Sequence, residues 1–201
     1  MKKHKFYSIL GLVSTGIILI NYLIYFAISE FGVLTNGTLL LTLLFSMFSG
    51  LGIFISIRFI IVIHSNLDHF RVVLLLIIIA QLLTSILSLL IRFQTFPLLY
   101  VVTPLIIIGL VLIGSYIWFF ILLSKTEDSE IKGLAFLQYF GISLLALFIV
   151  SAILTIILDH GIKTSRPIVQ LIEALPYIFI FLFFIRHINV SKIEEQHNTY
   201  A

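Results

Sequence analysis

The sequence contains no cysteine, which excludes disulfide bonds, thiolate metal sites and cysteine nucleophiles. It has only four prolines and one tryptophan in 201 residues, and only 10% of its residues are charged. Hydrophobic residues make up 61% of the chain, and its mean hydropathy is +1.22. The single core of a soluble domain could not bury so much apolar surface, so the composition predicts an integral membrane protein.

The few charges that are present carry a small positive excess, with a formal net charge of +3 and a pI near 9.2. This balance does not indicate nucleic-acid binding. The 12 Lys and Arg residues lie mostly at the ends of apolar runs and form no basic stripe with interleaved aromatic residues. We therefore expect the lipid bilayer to be the main partner of the chain, and no nucleic acid.

Sequence motifs that carry covalent chemistry are also missing. There is no P-loop, no Rossmann fingerprint and no HExxH motif. The long apolar runs contain neither the two aspartates of an intramembrane aspartyl protease nor a histidine for a rhomboid-type protease. All six histidines are predicted at helix ends or in loops, which argues against a haem held by two membrane histidines. We therefore expect no enzyme activity, no catalytic residues, no metal ion and no cofactor.

Six apolar segments, each long enough to cross a bilayer, follow one another along the chain. A spanning helix needs about 20 residues, and the first segment runs for 24 residues without a charge, from Phe6 to Ser29. We interpret it as an uncleaved helix, because a signal peptide has an apolar core of only roughly 7–15 residues. The sequence predicts one all-α transmembrane domain over residues 1–201, with helices over about 6–29, 38–64, 72–94, 97–124, 133–158 and 167–189.

The distribution of basic residues predicts the orientation of these helices. With a cytoplasmic N-terminus, nine of the twelve Lys and Arg residues lie on the cytoplasmic side, and only Arg92, Lys163 and Arg166 lie on the other. Cytoplasmic loops of membrane proteins carry such an excess of basic residues. We therefore expect a six-helix, multi-pass protein with both termini in the cytoplasm, and the lack of cysteine and of large loops favours a bacterial inner membrane.

Glu173 is the only acidic residue inside a long apolar segment, and it lies in the sixth one. Arg166, Gln170, Glu173 and Tyr177 follow at spacings of 4, 3 and 4, which places them on one helical face. Pro176 removes one helical hydrogen bond and frees a backbone carbonyl group beside the acid. A carboxylate, a free carbonyl oxygen and a phenol could hold a cation or a proton. Alternatively, the carboxylate serves only as an ion-pair partner that orients helix packing.

The third segment carries a second polar stripe, formed by Gln81, Ser85, Ser88 and Arg92 at spacings of 4, 3 and 4. Such a stripe is expected to face the protein interior rather than lipid. By the predicted topology Arg92 lies in the same leaflet as Glu173, so we expect these two side chains to form an ion pair. The candidate polar site inside the membrane therefore consists of Glu173, Arg92, Gln170, Tyr177, Gln81 and Ser88.

These features support two hypotheses about function. The first is a non-enzymatic accessory, scaffold or protective subunit of a membrane assembly, which contacts a membrane-protein partner or further copies of itself. The second is a small secondary transporter or channel that uses Glu173 in a proline-broken helix. A dry bundle in which Glu173 and Arg92 face each other would favour the first hypothesis. A polar cavity that opens to one side would favour the second.

Overall fold

The computed structural model describes residues 2–31, 36–93, 98–127, 130–158 and 166–199. Within these ranges the chain is helical and contains no strand, which confirms the all-α class. A π-helix over Phe59–His64 extends the second α-helix, and a 3-10 helix over Asp68–Phe70 leads into the third. The six α-helices are α1 (Lys2–Phe31), α2 (Asn36–Arg58), α3 (Arg71–Arg92), α4 (Leu98–Lys125), α5 (Leu134–Leu158) and α6 (Arg166–Thr199).

Five of the six α-helices contain a stretch that is long and apolar enough to cross a membrane. These stretches are Lys3–Ile24, Leu40–Ile63, Asp68–Ile91, Tyr100–Lys125 and Ile172–Asn189. On α5, the apolar stretch within the described residues is the shorter Leu134–Leu147. The chain is therefore a multi-pass helical membrane protein in contact with lipid. Its orientation, with both termini in the cytoplasm of a bacterial cell, stays a prediction.

The helices at the two ends of the chain are longer than the hydropathy pattern predicts. The first helix begins at Lys2 rather than near Phe6, and the last continues to Thr199 rather than ending near residue 189. Hydropathy marks where a segment leaves the lipid, whereas a helix of good helix formers such as Lys, Glu and Gln continues into water. Helix α6 also runs without interruption through Pro176, so it is not a broken helix.

The helices form a closed ring. Each helix packs against the next one along the chain, and α1 also packs against α6. The contact between α4 and α5 is the least extensive of these neighbouring contacts. Short connections between consecutive helices favour this up-and-down order, because they leave little chain for a crossover.

Among the side chains that the structure describes, most of the buried ones lie in one half of the bundle, which we call the filled half. It contains the start of α1 and the end of α6, together with the π-helix and the segments that connect α2 to α3 and α4 to α5. Isoleucine and leucine side chains from all six α-helices surround its centre. The largest side chains that are fully buried there are Phe70, Phe119, Phe140, Phe183 and Phe184.

A glycine allows α1 and α6 to close the ring. A Cβ atom added to Gly11 would overlap the ring of Phe184, which has no exposed surface. In lipid, helices associate through van der Waals contact and hydrogen bonds, and small residues let their backbones approach closely. The contact between Gly11 and Phe184 is therefore expected to contribute to the stability of the whole ring.

The variant Gly11→Ala is expected to destabilise the bundle by about 1–3 kcal/mol, the usual cost of overpacking a well-packed core. Gly114→Ala is the matched control, because a Cβ atom at Gly114 meets no other atom within 4 Å. Alanine also favours a helix over glycine. Thermal unfolding in detergent measures both variants. Equal unfolding midpoints for the two variants would contradict the close contact at Gly11.

Candidate functional site

One face of α2 is buried at one end of the bundle and accessible at the other, whereas Thr42 and Ser49 on the adjacent face are both buried. Leu43, Ser46, Gly50, Phe54 and Ile57 share the former face, since they follow one another at spacings of three or four residues. Gly50, Phe54 and Ile57 are buried, whereas Leu43 and Ser46 are exposed. The face that packs into the filled half therefore borders free space in the other half, which we call the open half.

Burial also decreases along one face of α3, from the filled half to the open half. Val73 and Ile77 are fully buried in the filled half. Gln81, Thr84 and Ser88 continue the same helical face into the open half, where their side chains are only partly buried. The polar stripe of α3 thus extends the face that packs in the core, and it points in the same direction as Ile77.

A cavity of about 110 Å³ lies between α2 and α3 in the open half. Gln81 stands ten residues from the start of α3 and eleven from its end, so it lies about 15 Å from either end of the helix at a rise of about 1.5 Å per residue. The cavity therefore reaches the middle of the membrane-spanning region. Its wall consists of Leu43, Ser46, Met47, Gln81, Thr84, Ser85, Ser88 and Leu89.

Some polar groups of this wall have hydrogen-bond partners and others have none among the described residues. Ser85 Oγ donates a hydrogen bond to the backbone oxygen of Gln81, and Ser88 Oγ donates one to that of Thr84, both at 2.8 Å. The side-chain oxygens of Gln81 and Thr84 are shielded from solvent and have no hydrogen-bond partner among the described residues. A buried polar group left without a partner costs about 1–3 kcal/mol. The wall therefore has unused hydrogen-bonding capacity in the middle of the membrane.

Glu173 lies on the interior face of α6, at the boundary between the two halves. Ile180 and Phe184 share this face and are fully buried, whereas Glu173 is only partly buried. Its carboxyl group is close enough to the phenols of Tyr22 and Tyr177 to interact with both electrostatically. The two phenols are hydrogen-bonded to each other, and their ring centroids are 5.8 Å apart. Two phenols, one from α1 and one from its own helix, therefore lie in the neighbourhood of the acid.

A series of aromatic rings runs obliquely across the bundle, from Phe54 in the filled half to Tyr22 near the level of Thr42, and we call it the aromatic layer. Its members come from α1, α2, α4, α5 and α6, so it reaches most of the ring of helices. The centroids of successive rings are 5.7 to 6.2 Å apart, within the range of favourable aromatic contacts. In order across the bundle, the layer consists of Phe54, Tyr116, Phe120, Phe140, Tyr177 and Tyr22.

The candidate residues named from the sequence lie in two places. Gln81 and Ser88 line the cavity between α2 and α3, and Glu173 and Tyr177 stand beside the aromatic layer on α6. The side chains of Arg92 and Gln170 lie outside the described part of the structure. The ion pair between Arg92 and Glu173 therefore stays a prediction.

The sequence analysis missed a histidine pair. His4 lies in the first turn of α1, as predicted for a helix end, whereas α6 continues for twelve residues beyond His187. Both rings are buried, and their centroids are 5.5 Å apart. Phe183 packs edge-on against His187 at 4.6 Å. One signal was present, since His4 shares a helical face with the buried residues Ser8 and Thr15. Within the described ranges, no three His, Cys, Asp or Glu side chains are grouped so that they could hold a metal ion.

Comparison with known proteins adds no relative to this description. No family model, no curated protein and no solved structure matches the chain. The cavity, the aromatic layer and the surroundings of Glu173 are therefore the basis for any functional conclusion.

Two amide side chains provide a test of the unsatisfied oxygen in the cavity wall. Gln81→Leu removes an amide oxygen without a partner, so it is expected to raise the free energy of unfolding by about 1 kcal/mol. Asn21→Leu is the matched comparison, because Asn21 Nδ2 donates a hydrogen bond to the backbone oxygen of Thr42 at 3.1 Å. Its loss is expected to cost about 0.6 kcal/mol, the average for a hydrogen bond between membrane helices.

Chemical unfolding in mixed micelles measures both variants. The free energy of unfolding is expected to rise in Gln81→Leu and to fall in Asn21→Leu. A general effect of replacing an amide by leucine would change both variants in the same direction, so the comparison separates it from the local effect. A loss of stability in Gln81→Leu as large as that in Asn21→Leu would show that the amide of Gln81 is satisfied.

Proposed function

We propose that this membrane protein is a small carrier whose solute enters the open half of the bundle. The observation that carries this proposal is the change in burial along one face of α2 and one face of α3. Leu43 and Ser46 on α2, and Gln81, Thr84 and Ser88 on α3, are more accessible than the residues that continue their faces into the filled half. Carriers that work by alternating access have a site near the middle of the membrane that is open to one side at a time.

Glu173 is the group proposed to couple a proton or a cation to this movement. Glu173 is the second residue of the span Ile172–Asn189. An acidic residue there costs less than the roughly 2.5–3.5 kcal/mol of one at the helix centre, and acidic residues within spanning helices face the bundle interior or a water-filled cavity. Glu173 is on the interior face of α6, only partly buried, at the edge of the open half. The phenols of Tyr22 and Tyr177 lie in its neighbourhood and are hydrogen-bonded to each other. A rotation of either side chain toward the acid would let its hydroxyl group bind a carboxylate or a protonated acid.

The absence of cysteine makes the accessibility of the open half directly measurable. Ser88→Cys places a thiol in the cavity wall, Ser115→Cys places one in the filled half, and Leu110→Cys places one on the exposed surface of α4. A membrane-impermeant thiosulfonate reagent is added to vesicles of each orientation. Only Ser88→Cys is expected to react, and only from the side of the open half, because reaction requires water around the thiol.

The two control variants define the outcomes of this experiment. Ser115 is only 4% exposed, and Leu110 is 65% exposed on an otherwise apolar part of α4. Reaction of Ser88→Cys from both sides would indicate a channel rather than a carrier. Protection of all three thiols would contradict an accessible open half.

The role of Glu173 is tested by proton flux in reconstituted vesicles, read with an entrapped pH-sensitive dye. The flux of the wild-type protein in an imposed pH gradient is expected to fall at least about tenfold in Glu173→Gln, which keeps the shape of the side chain but cannot ionise. Glu127→Gln, in the exposed segment after α4, is the control and is expected to leave the flux unchanged. A wild-type protein without flux, or a Glu173→Gln variant with normal flux, would exclude proton coupling through Glu173.

The accessory-subunit hypothesis is the second candidate, and the surface of α4 favours it. Ile106, Leu110, Ile117 and Ile121 are all exposed on this helix, and its contact with α5 is limited. A partner helix could cover this surface. Purification from the native membrane in a gentle detergent, followed by mass spectrometry, tests this hypothesis. A stoichiometric partner would support it, whereas the protein alone or as a homo-oligomer would favour the carrier.

A further inference from the structure

We infer that the cavity between α2 and α3 binds a small uncharged molecule that donates hydrogen bonds, with the size and shape of acetamide or urea. This inference rests on the proposed carrier function and names the class of its solute. It concerns a different part of the open half from Glu173, because the described residues of the cavity wall belong to α2 and α3.

The lining of the cavity argues against an ion as the ligand. None of the eight wall residues that the structure describes carries a charge. An ion that leaves water for the middle of a membrane loses a hydration energy of tens of kcal/mol, and it is tolerated only when an opposite charge or many ligands replace the water. An uncharged molecule pays a much smaller cost and needs only hydrogen bonds.

The hydrogen bonds already present in the wall determine which partner it lacks. The hydroxyl protons of Ser85 and Ser88 are used on backbone oxygens of α3, so these hydroxyls present only lone pairs to the cavity. The side-chain oxygens of Gln81 and Thr84 have no partner among the described residues. The hydroxyl groups of Ser46 and Thr84 and the amide nitrogen of Gln81 can also donate, so this wall offers donors as well as acceptors. The lone pairs of Ser85 and Ser88 still need a donor from the ligand, so the complementary molecule is one that carries N–H or O–H groups.

Gln81 is positioned to adapt to such a molecule. Its terminal amide lies directly over Gly50, where an added Cβ atom would overlap Nε2. The last torsion of a glutamine side chain is broad and soft, so a small rotation exposes the shielded oxygen to the cavity. The glycine on α2 thus provides the space in which this amide can turn.

The volume of the cavity sets the size of the ligand. A cavity of about 150 Å³ holds benzene, which has six heavy atoms. The cavity of about 110 Å³ would on that scale hold a molecule of about four heavy atoms. Acetamide and urea have this number of heavy atoms, are uncharged and carry N–H donors. Three or four water molecules would fill the same space, since each occupies about 30 Å³ in the liquid.

A pair of isosteric probes tests the inference without any change in Gln81. The rate at which Ser88→Cys reacts with the thiosulfonate reagent is measured with acetamide or with acetone, which has the same shape but no hydrogen-bond donor. A site with a Kd of about 10 mM would slow the reaction about tenfold at roughly 100 mM acetamide. Such a Kd is well within the bound for a ligand of four heavy atoms. Acetone at the same concentration is expected to leave the rate unchanged.

The variant Gln81→Met in the same background is the second measurement. Methionine keeps the length of the side chain but removes the amide, so protection by acetamide is expected to disappear while the reaction without ligand keeps its rate. Equal protection by acetone would overturn the inference, because recognition would not depend on hydrogen-bond donors. A lack of protection by either probe would overturn it as well, and would leave a cavity that holds water only.

The failure of this inference and the failure of the carrier function are distinguishable. If Ser88→Cys reacts from one side but no probe protects it, the open half is accessible and only the solute class is wrong. If Ser88→Cys does not react at all, both the accessible open half and its ligand are excluded.

Discussion

The structure depends on the fact that lipid offers apolar side chains the same environment as a protein core. Helices in a bilayer therefore gain little by hiding apolar surface, and they associate through close van der Waals packing and hydrogen bonds. The filled half satisfies this constraint with glycine and aromatic residues. Gly11 receives the ring of Phe184, and Gly141 receives the ring of Phe120 in the same way. These contacts join α1 to α6 and α4 to α5, where the ring of helices is closed or has its weakest contact.

The open half lacks the close packing of the filled half, so some of its polar groups stay available to bind a ligand. Its interior faces carry Ser, Thr and Gln side chains instead of the large aromatic residues of the filled half. Polar groups without partners are costly inside a membrane, and they are retained where they bind a solute or an ion. The cavity and Glu173 both lie where packing stops, because a group that must bind something cannot also be satisfied by its neighbours. A less stable open half is the expected consequence.

The two candidate sites also differ in their chemistry. The described residues of the cavity wall are uncharged and carry hydrogen-bond acceptors and donors, whereas Glu173 provides the ionisable group with Tyr22 and Tyr177 in its neighbourhood. A carrier that couples two species needs such a separation, since one site recognises the solute and the other responds to the driving ion. The aromatic layer adjoins the acid through the two phenols, so it is the element through which protonation of Glu173 could affect packing.

The sequence alone determined the all-α class, the membrane environment and the position of each helix to within a few residues, except at the two ends of the chain. Apolar segments of spanning length are a local property, and helices are the structure that satisfies their backbone within lipid. The sequence also singled out Glu173 and the stripe of Gln81 and Ser88, because polar residues are rare in this chain.

Only the tertiary structure decided how these residues are arranged. It separated Gln81 from Glu173, brought Tyr22 to the acid, buried His4 against His187 and divided the bundle into a filled and an open half. Helical spacing shows which residues share a face of one helix, but it contains no information on which face of another helix they meet. That depends on the close packing of large and small side chains across the whole ring, which is a property of all the helices together.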